Sequence, residues 1–193
     1  MRWMILLVLG LTLACGGVAA GHQLTSTDGD DVSGKFDIKS LKTTHTKSSF
    51  TFEITLYDDV ADADFTTANP TPPPSATLGP RILEGLTGNR VCVQLERRIS
   101  ANLLPKERLA CTGDVVGGKL TGKLYSLQLG IKGSPTTIAA SRSGRTITLV
   151  VPKSKLPKAK RTRLLAHTQF LDTESCATGC WDLKATNRQQ HTG

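Results

Sequence analysis

Aromatic residues and helical patterns are scarce in this chain. Only 5% of its 193 residues are Phe, Trp or Tyr, which argues against the broad aromatic platforms on which many sugar-binding modules rely. No segment carries the apolar stripe of a long amphipathic helix. The sequence also lacks a Gly-x-Ser-x-Gly motif, so a serine nucleophile on a strand-to-helix turn is not expected. These absences leave an all-β chain without an obvious catalytic motif.

Long apolar runs are absent beyond residue 14, so no membrane span is expected. The run from 3 to 14 follows Arg2 and precedes small residues that end at Ala20. This pattern predicts that residues 1–20 are a signal peptide cleaved after Ala20 and that the chain is secreted. The alternative is a lipoprotein anchored through Cys15.

Four cysteines remain after that cleavage, an even number that predicts two disulfides in an exported protein. The expected pairs are Cys92–Cys111, which flanks a strand–loop–strand unit, and Cys176–Cys180, which closes a short loop. Four cysteines allow three pairings, so the connectivity stays open. A metal site at Cys176-x-x-x-Cys180 is the other reading, but it lacks a second pair of ligands.

Positive charge exceeds negative charge by 8 in the whole chain, and removing Arg2 with the signal peptide leaves +7 (8 − 1). Such a balance favours solubility and weak attraction to anionic surfaces. The segment 153–163 contains six cations and no acidic residue, which predicts contact with a polyanion. The alternative is a solvated connector. The six cations are Lys153, Lys155, Lys158, Lys160, Arg161 and Arg163. No aromatic residue interleaves with them, so specific nucleic-acid binding is not expected.

Alternation of apolar and polar residues is the strongest structural signal. In 49–57, Phe50, Phe52, Ile54 and Leu56 share one face, as in a half-buried strand. Seven further segments are predicted strands: 36–44, 90–96, 107–112, 119–129, 136–142, 145–151 and 163–171. Ser143-Gly144 predicts a hairpin between two of them. The pattern indicates one antiparallel β-sandwich, jelly-roll-like, with about eight strands over residues 21–185.

Two segments do not fit strands. The proline-rich stretch 66–75 is predicted to be an exposed loop, because proline removes the backbone donors that a central strand needs. A proline-rich ligand for another domain is the alternative. Residues 186–193 are predicted to be a disordered tail.

An acidic, glycine-punctuated stretch is the best metal-site candidate. Asp28, Asp30, Asp31 and Asp37 fall within ten residues, and carboxylate oxygens suit calcium. The spacing fails the EF-hand pattern, because Val32 takes the fifth position and Lys39 the twelfth. The alternative is a solvated turn whose aspartates cap backbone donors.

Histidines and tyrosines supply the other candidates. His45 and His167 lie on predicted strands and could meet across a sheet, as a hydrolase that uses a histidine base would require. The alternative is that each histidine only fills a half-exposed strand position. Tyr57, Tyr125 and Trp181 are the aromatic residues left for weak sugar contact. Packing roles are the alternative for all three.

Several short motifs resemble a loose family of secreted bacterial β-sandwich proteins of unknown function. They are Asp28-x-Asp30-Asp31-x-x-Gly34-x-x-Asp37-Ile38, the alternating strand from Phe50, Val150-Val151-Pro152, and Cys180-x-Asp182-Leu183. More remotely, the layout is similar to family 9 carbohydrate-binding modules and DOMON domains. That resemblance implies a binding fold for sugars, haem or structural calcium and no reaction. The proline-rich insertion departs from the pattern.

The sequence therefore predicts an exported, non-catalytic binding domain, with a glycan or an anionic envelope polymer as its ligand. An extracellular hydrolase that uses the acidic cluster or the strand histidines is the alternative. A structural envelope protein is the third reading.

Overall fold

The structure, a computed structural model of the chain, describes residues 22–32, 34–65, 86, 88–98, 100, 106–127, 131–172, 176–183 and 189–192. Of residues 22, 171–172, 176–183 and 189–192 it describes the backbone alone. The predicted signal peptide, Cys15 and the proline-rich segment 66–75 lie outside these ranges. No helix in the described ranges is long and apolar enough to cross a membrane.

The described residues form eleven antiparallel strands and contain no α-helix. The strands are β1 (His22–Thr27), β2 (Ile38–His45), β3 (Ser49–Leu56), β4 (Arg90–Arg98), β5 (Lys106–Val116), β6 (Lys119–Leu127), β7 (Ile131–Ser143), β8 (Thr146–Pro152), β9 (Arg161–Asp172), β10 (Cys176–Leu183) and β11 (Gln189–Thr192). Short 3-10 helices occupy Asp62–Phe65 and Lys153–Lys155. The all-β prediction is therefore confirmed.

A single hydrogen-bonded sheet joins all the strands, in the order β1-β2-β3-β8-β7-β6-β5-β4-β9-β10, with β11 beside β9. The expected division into two stacked sheets is not confirmed, and the strand count of about eight was too low. β11 lies in the segment that was predicted to be a disordered tail, and it pairs with Arg161–Leu164.

The sheet curls, so the apolar residues on its inner face pack against one another and are buried. Phe36, just before β2, stacks on Phe170 of β9 with ring centroids 5.5 Å apart, and it meets Phe65 edge to face. The interior is lined by alternate residues of the strands, including Phe52 and Ile54 of β3 and Ile147 and Leu149 of β8, all 0% exposed. The strict alternation of 49–57 thus faces the core as predicted.

Both faces of β4 are buried, as are both faces of β5 at 109–113 and of β9 at 166–170. Val91, Val93 and Leu95 point into the main core. On the opposite face, Cys92 joins a second apolar cluster with Leu86, Leu109, Cys111 and Leu127. Alternation alone could not predict this second cluster, because its residues lie on the strand face that the pattern assigns to solvent.

The predicted disulfide Cys92–Cys111 is confirmed. The two residues are direct cross-strand partners on β4 and β5, with Cα atoms 4.0 Å apart, and both are 0% exposed. Cys176 and Cys180 lie on β10, whose side chains are outside the description, so that pair stays a prediction.

Removing the Cys92–Cys111 disulfide should destabilise the fold without changing it. The bridge closes a loop with a sequence separation of 19, so we expect Cys92→Ala with Cys111→Ala to lower the free energy of unfolding by about 2–4 kcal/mol. Denaturant unfolding of both proteins measures this. Thiol labelling of the unreduced, unfolded parent at these two cysteines would contradict the bridge.

Candidate functional site

One end of the curled sheet brings together the described residues 45–49, 97–98, 106, 127, 131–132 and 153–161, which we call the basic end. The strand register brings them together. Ser49 pairs with Pro152, Arg97 with Lys106, Leu127 with Ile131, and Arg98 with Arg161. β4 and β8 therefore finish where β5 and β9 begin, and the connector 153–160 crosses this end.

Ten cations and no acidic residue occur among these described residues. They are Lys47, Arg97, Arg98, Lys106, Lys132, Lys153, Lys155, Lys158, Lys160 and Arg161. None of the ten forms an ion pair with another described residue, since the five ion pairs found there involve other cations. No ion pair to a described carboxylate therefore offsets the charge of these ten cations, although Glu107 on β5 lies close enough to Arg98 for the two charges to interact.

The connector is fixed to the sheet by its backbone. The Lys153 amide donates to Ser48 O at 2.7 Å, and the Lys160 amide donates to Arg98 O at 3.0 Å. Arg97 Nη2 and Nε donate to Pro157 O at 2.9 and 3.1 Å. Leu156 is buried in the main core. These contacts hold the connector as an ordered turn, on which Lys155, Lys158 and Lys160 are exposed and Lys153 is half-buried.

The six cations predicted for polyanion contact divide into two groups. Lys155, Lys158, Lys160 and Arg161 are exposed, so they can reach a ligand. Lys153 and Arg163 are half-buried, and Arg163 Nη1 lies 3.6 Å from Glu96 Oε2. Five further cations of the basic end were missed. Each lies at or beside a strand end, and those ends were the signal available in the sequence.

At the opposite end of the sheet, three aspartates form ion pairs. Asp114 pairs with Arg90 at 2.8 Å, Asp62 with Arg142 at 3.0 Å, and Asp64 with Lys35 at 3.3 Å. Three carboxylates at this end are therefore paired with local cations, whereas none of the ten cations of the basic end forms an ion pair with a described residue.

The four aspartates of the predicted calcium site surround Tyr57. The phenol donates to Asp28 O at 2.8 Å. Its partial burial, followed by the charges of Asp30, Asp37, Asp28 and Asp31, raises the pKa of Tyr57. Within the described ranges, no three His, Cys, Asp or Glu side chains form a group that could hold a metal ion. Calcium binding here stays a prediction.

The three residues predicted for sugar contact lie on different strands or turns. Tyr57 follows β3, and Lys39 lies 5.5 Å from its ring centroid. Tyr125 on β6 is half-buried against the second apolar cluster, and burial raises its pKa. Trp181 lies on β10, and its side chain is outside the description. The ring contacts of the described part do not join the two tyrosines, so no shared platform is present there.

The two strand histidines occupy different surroundings. His45 ends β2 at the basic end, with its ring 5.6 Å from that of Phe50. His167 lies opposite Cys92 on β9 and is 1% exposed. Its Nε2 donates to Gln94 Oε1 at 3.2 Å, while its Nδ1 has no hydrogen-bond partner among the described residues. The structure therefore does not assemble the two as a catalytic pair.

Comparisons of the chain with protein-family models, with curated proteins and with solved structures find no match in any of the three. The similarity to carbohydrate-binding and DOMON-like sandwiches thus stays an expectation from sequence motifs.

Burial of His167 should make the fold sensitive to acid. Burial lowers the pKa of His167 from 6.5 to about 3, so the unfolded chain binds this proton first. The contribution of His167 to the free energy of unfolding is therefore highest above pH 6.5, and it decreases as pH falls towards 3. Within that window we expect a loss of about 1.4 kcal/mol per pH unit.

The His167→Gln substitution keeps a hydrogen-bond donor towards Gln94 but removes the titrating group. His167→Gln should therefore flatten the dependence of unfolding free energy on pH between 6 and 4, relative to its own value at pH 7.5. Denaturant titrations at each pH measure both proteins. Parallel curves for parent and variant would contradict the assignment.

Proposed function

We propose that this chain is an exported, non-catalytic binding domain whose basic end attaches to an anionic polymer of the cell envelope or its surroundings. The charge at the basic end carries this proposal: ten cations, no acidic residue among the same described residues, and no ion pair to another described residue. A face of this kind attracts polyanions by long-range attraction and by release of their counterions.

Ordering of the connector supports the same proposal. Its exposed cations stand on a turn that is hydrogen-bonded to β4 and to the β2–β3 turn. A ligand that contacts Lys155, Lys158 or Lys160 therefore meets a surface that is already arranged. The aromatic residues offer a neutral glycan less support, because Tyr57 and Tyr125 do not share a platform. A hydrolase built on His45 and His167 has no observation in its favour.

Binding to inorganic polyphosphate should be strong at low salt and should depend on the connector. Exposed charges are screened over about 10 Å at 0.1 M salt, so we expect the affinity to fall about tenfold or more between 50 and 200 mM salt. Replacing Lys155, Lys158, Lys160 and Arg161 by Ser should weaken binding at 50 mM while leaving the melting temperature close to that of the parent. Titration calorimetry or fluorescence anisotropy measures the affinity.

A matched control removes four cations outside the basic end: Lys39, Lys119, Lys123 and Arg145, each to Ser. It changes the net charge equally, so it separates a local surface from overall basicity. We expect this control to bind polyphosphate much more tightly than the connector variant does. Equal weakening in both variants, or binding to neutral dextran in place of polyphosphate, would overturn the proposal.

A further inference from the structure

Three nitrogen-bearing side chains gather around the ring of Phe50 at the basic end. Lys153 Nζ lies 5.0 Å and Arg97 Cζ 5.7 Å from the ring centroid, and the His45 ring lies 5.6 Å from it. Lys153 Nζ is also 3.5 Å from His45 Nδ1. We call these four residues the Phe50 cluster.

Four strands position the residues of this cluster. Phe50 opens β3 and His45 ends β2, and the two are direct partners across the hairpin. Lys153 follows the end of β8, where Pro152 pairs with Ser49. Arg97 comes from β4, and its Nη1 donates to Thr162 Oγ1 at 2.7 Å. The arrangement is therefore set by sheet register and does not depend on long flexible side chains alone.

Like charges are concentrated here without a carboxylate. Burial lowers the pKa of Arg97, while burial and then the charge of Arg97 lower the pKa of Lys153. No acidic side chain in the described ranges lies within ion-pair distance of either cation. Ring contact with Phe50 offsets part of this cost. A bound anion would offset more of it, because it would attract both cations directly.

Arg97 and Lys153 differ in what they can offer a ligand. The guanidinium already donates from Nε and Nη2 to Pro157 O and from Nη1 to Thr162, so it supplies mainly charge. The ammonium of Lys153 has three donors, and its one hydrogen bond found among the described residues is that to His45 Nδ1. Lys153 and His45 are both half-buried, so solvent reaches them.

We infer that the Phe50 cluster is a subsite for a single oxyanion group, phosphate or sulfate, in which Lys153 donates to the anion and Arg97 supplies a second positive charge. The inference rests on the proposed function and sharpens it: the exposed connector cations attract the polymer broadly, whereas this subsite holds one of its anionic groups. Phosphate and sulfate suit this subsite because one of their oxygens can accept a hydrogen bond from the ammonium of Lys153 while their negative charge is attracted to the guanidinium of Arg97.

Small anions test the subsite without any polymer. The full protein is titrated with sodium phosphate, and separately with sodium sulfate, at constant ionic strength maintained with chloride. The melting temperature of the parent should rise and then saturate, because the anion binds only the folded state. Lys153→Gln should weaken this response about tenfold or more, a change that corresponds to about 1.4 kcal/mol.

Stability in chloride alone separates binding from a structural role. Lys153→Gln removes a cation next to Arg97, so it should melt no lower than the parent when phosphate and sulfate are absent. Lys153→Arg keeps the charge and should retain most of the saturable response. Lys158→Gln is the matched control, because it removes one exposed connector cation outside the cluster and should respond to phosphate as the parent does.

Three results would overturn the subsite: a response that chloride reproduces at equal ionic strength, an unchanged response in Lys153→Gln, or equal weakening in Lys158→Gln. Salt-sensitive polyphosphate binding combined with any of them would leave the proposed function standing and reject the subsite alone. Conversely, a saturable phosphate response that depends on Lys153, without polyphosphate binding, would reject the polymer and retain the subsite. Competition of free phosphate against polyphosphate in the parent, lost in Lys153→Gln, would support both.

Discussion

Burial of one face of a single sheet is the constraint on which the rest of this structure depends. Strands β3 and β8 present their apolar residues on one side only, and a flat sheet would leave that side in water. Curling brings the start of β2 against β9, where Phe36 packs on Phe170. The polar strand ends and their connections then lie at the two open ends of the curl. Charge segregation between those ends follows from which loops carry lysine and which carry aspartate.

The eight predicted strands correspond to β2 to β9, and the alternating pattern was clearest in β3 and β8, where one face is uniformly apolar. The pattern failed at β1, whose residues His22–Thr27 include one large apolar side chain, Leu24, and that side chain is 39% exposed. An edge strand of this kind is held by backbone hydrogen bonds to β2, which leave no periodic trace in the side chains. The second apolar cluster was equally hidden, because Cys92 and Leu109 become buried only when the sheet is covered on that side.

The candidate site was only partly predictable for a related reason. The run from Lys153 to Arg163 was visible because its cations are neighbours in sequence. His45, Arg97 and Lys153 are separated by more than fifty residues at each step, and only the register of four strands brings them to one ring. The Cys92–Cys111 bridge was easier to foresee, since its cysteines flank adjacent antiparallel strands. Signals that depend on non-local pairing cannot be recovered from one sequence without the topology.

Arg97 has a consequence for the thermodynamics of recognition. By holding Pro157 O and Thr162, it restricts the connector before any ligand arrives. Most of the backbone entropy of that segment is therefore lost during folding, and less remains to be lost on association. Loops that become ordered only on binding give up part of their interaction energy to that ordering, whereas a preorganised loop keeps it as affinity. A guanidinium buried beneath the connector thus favours tight association even though it need not touch the partner.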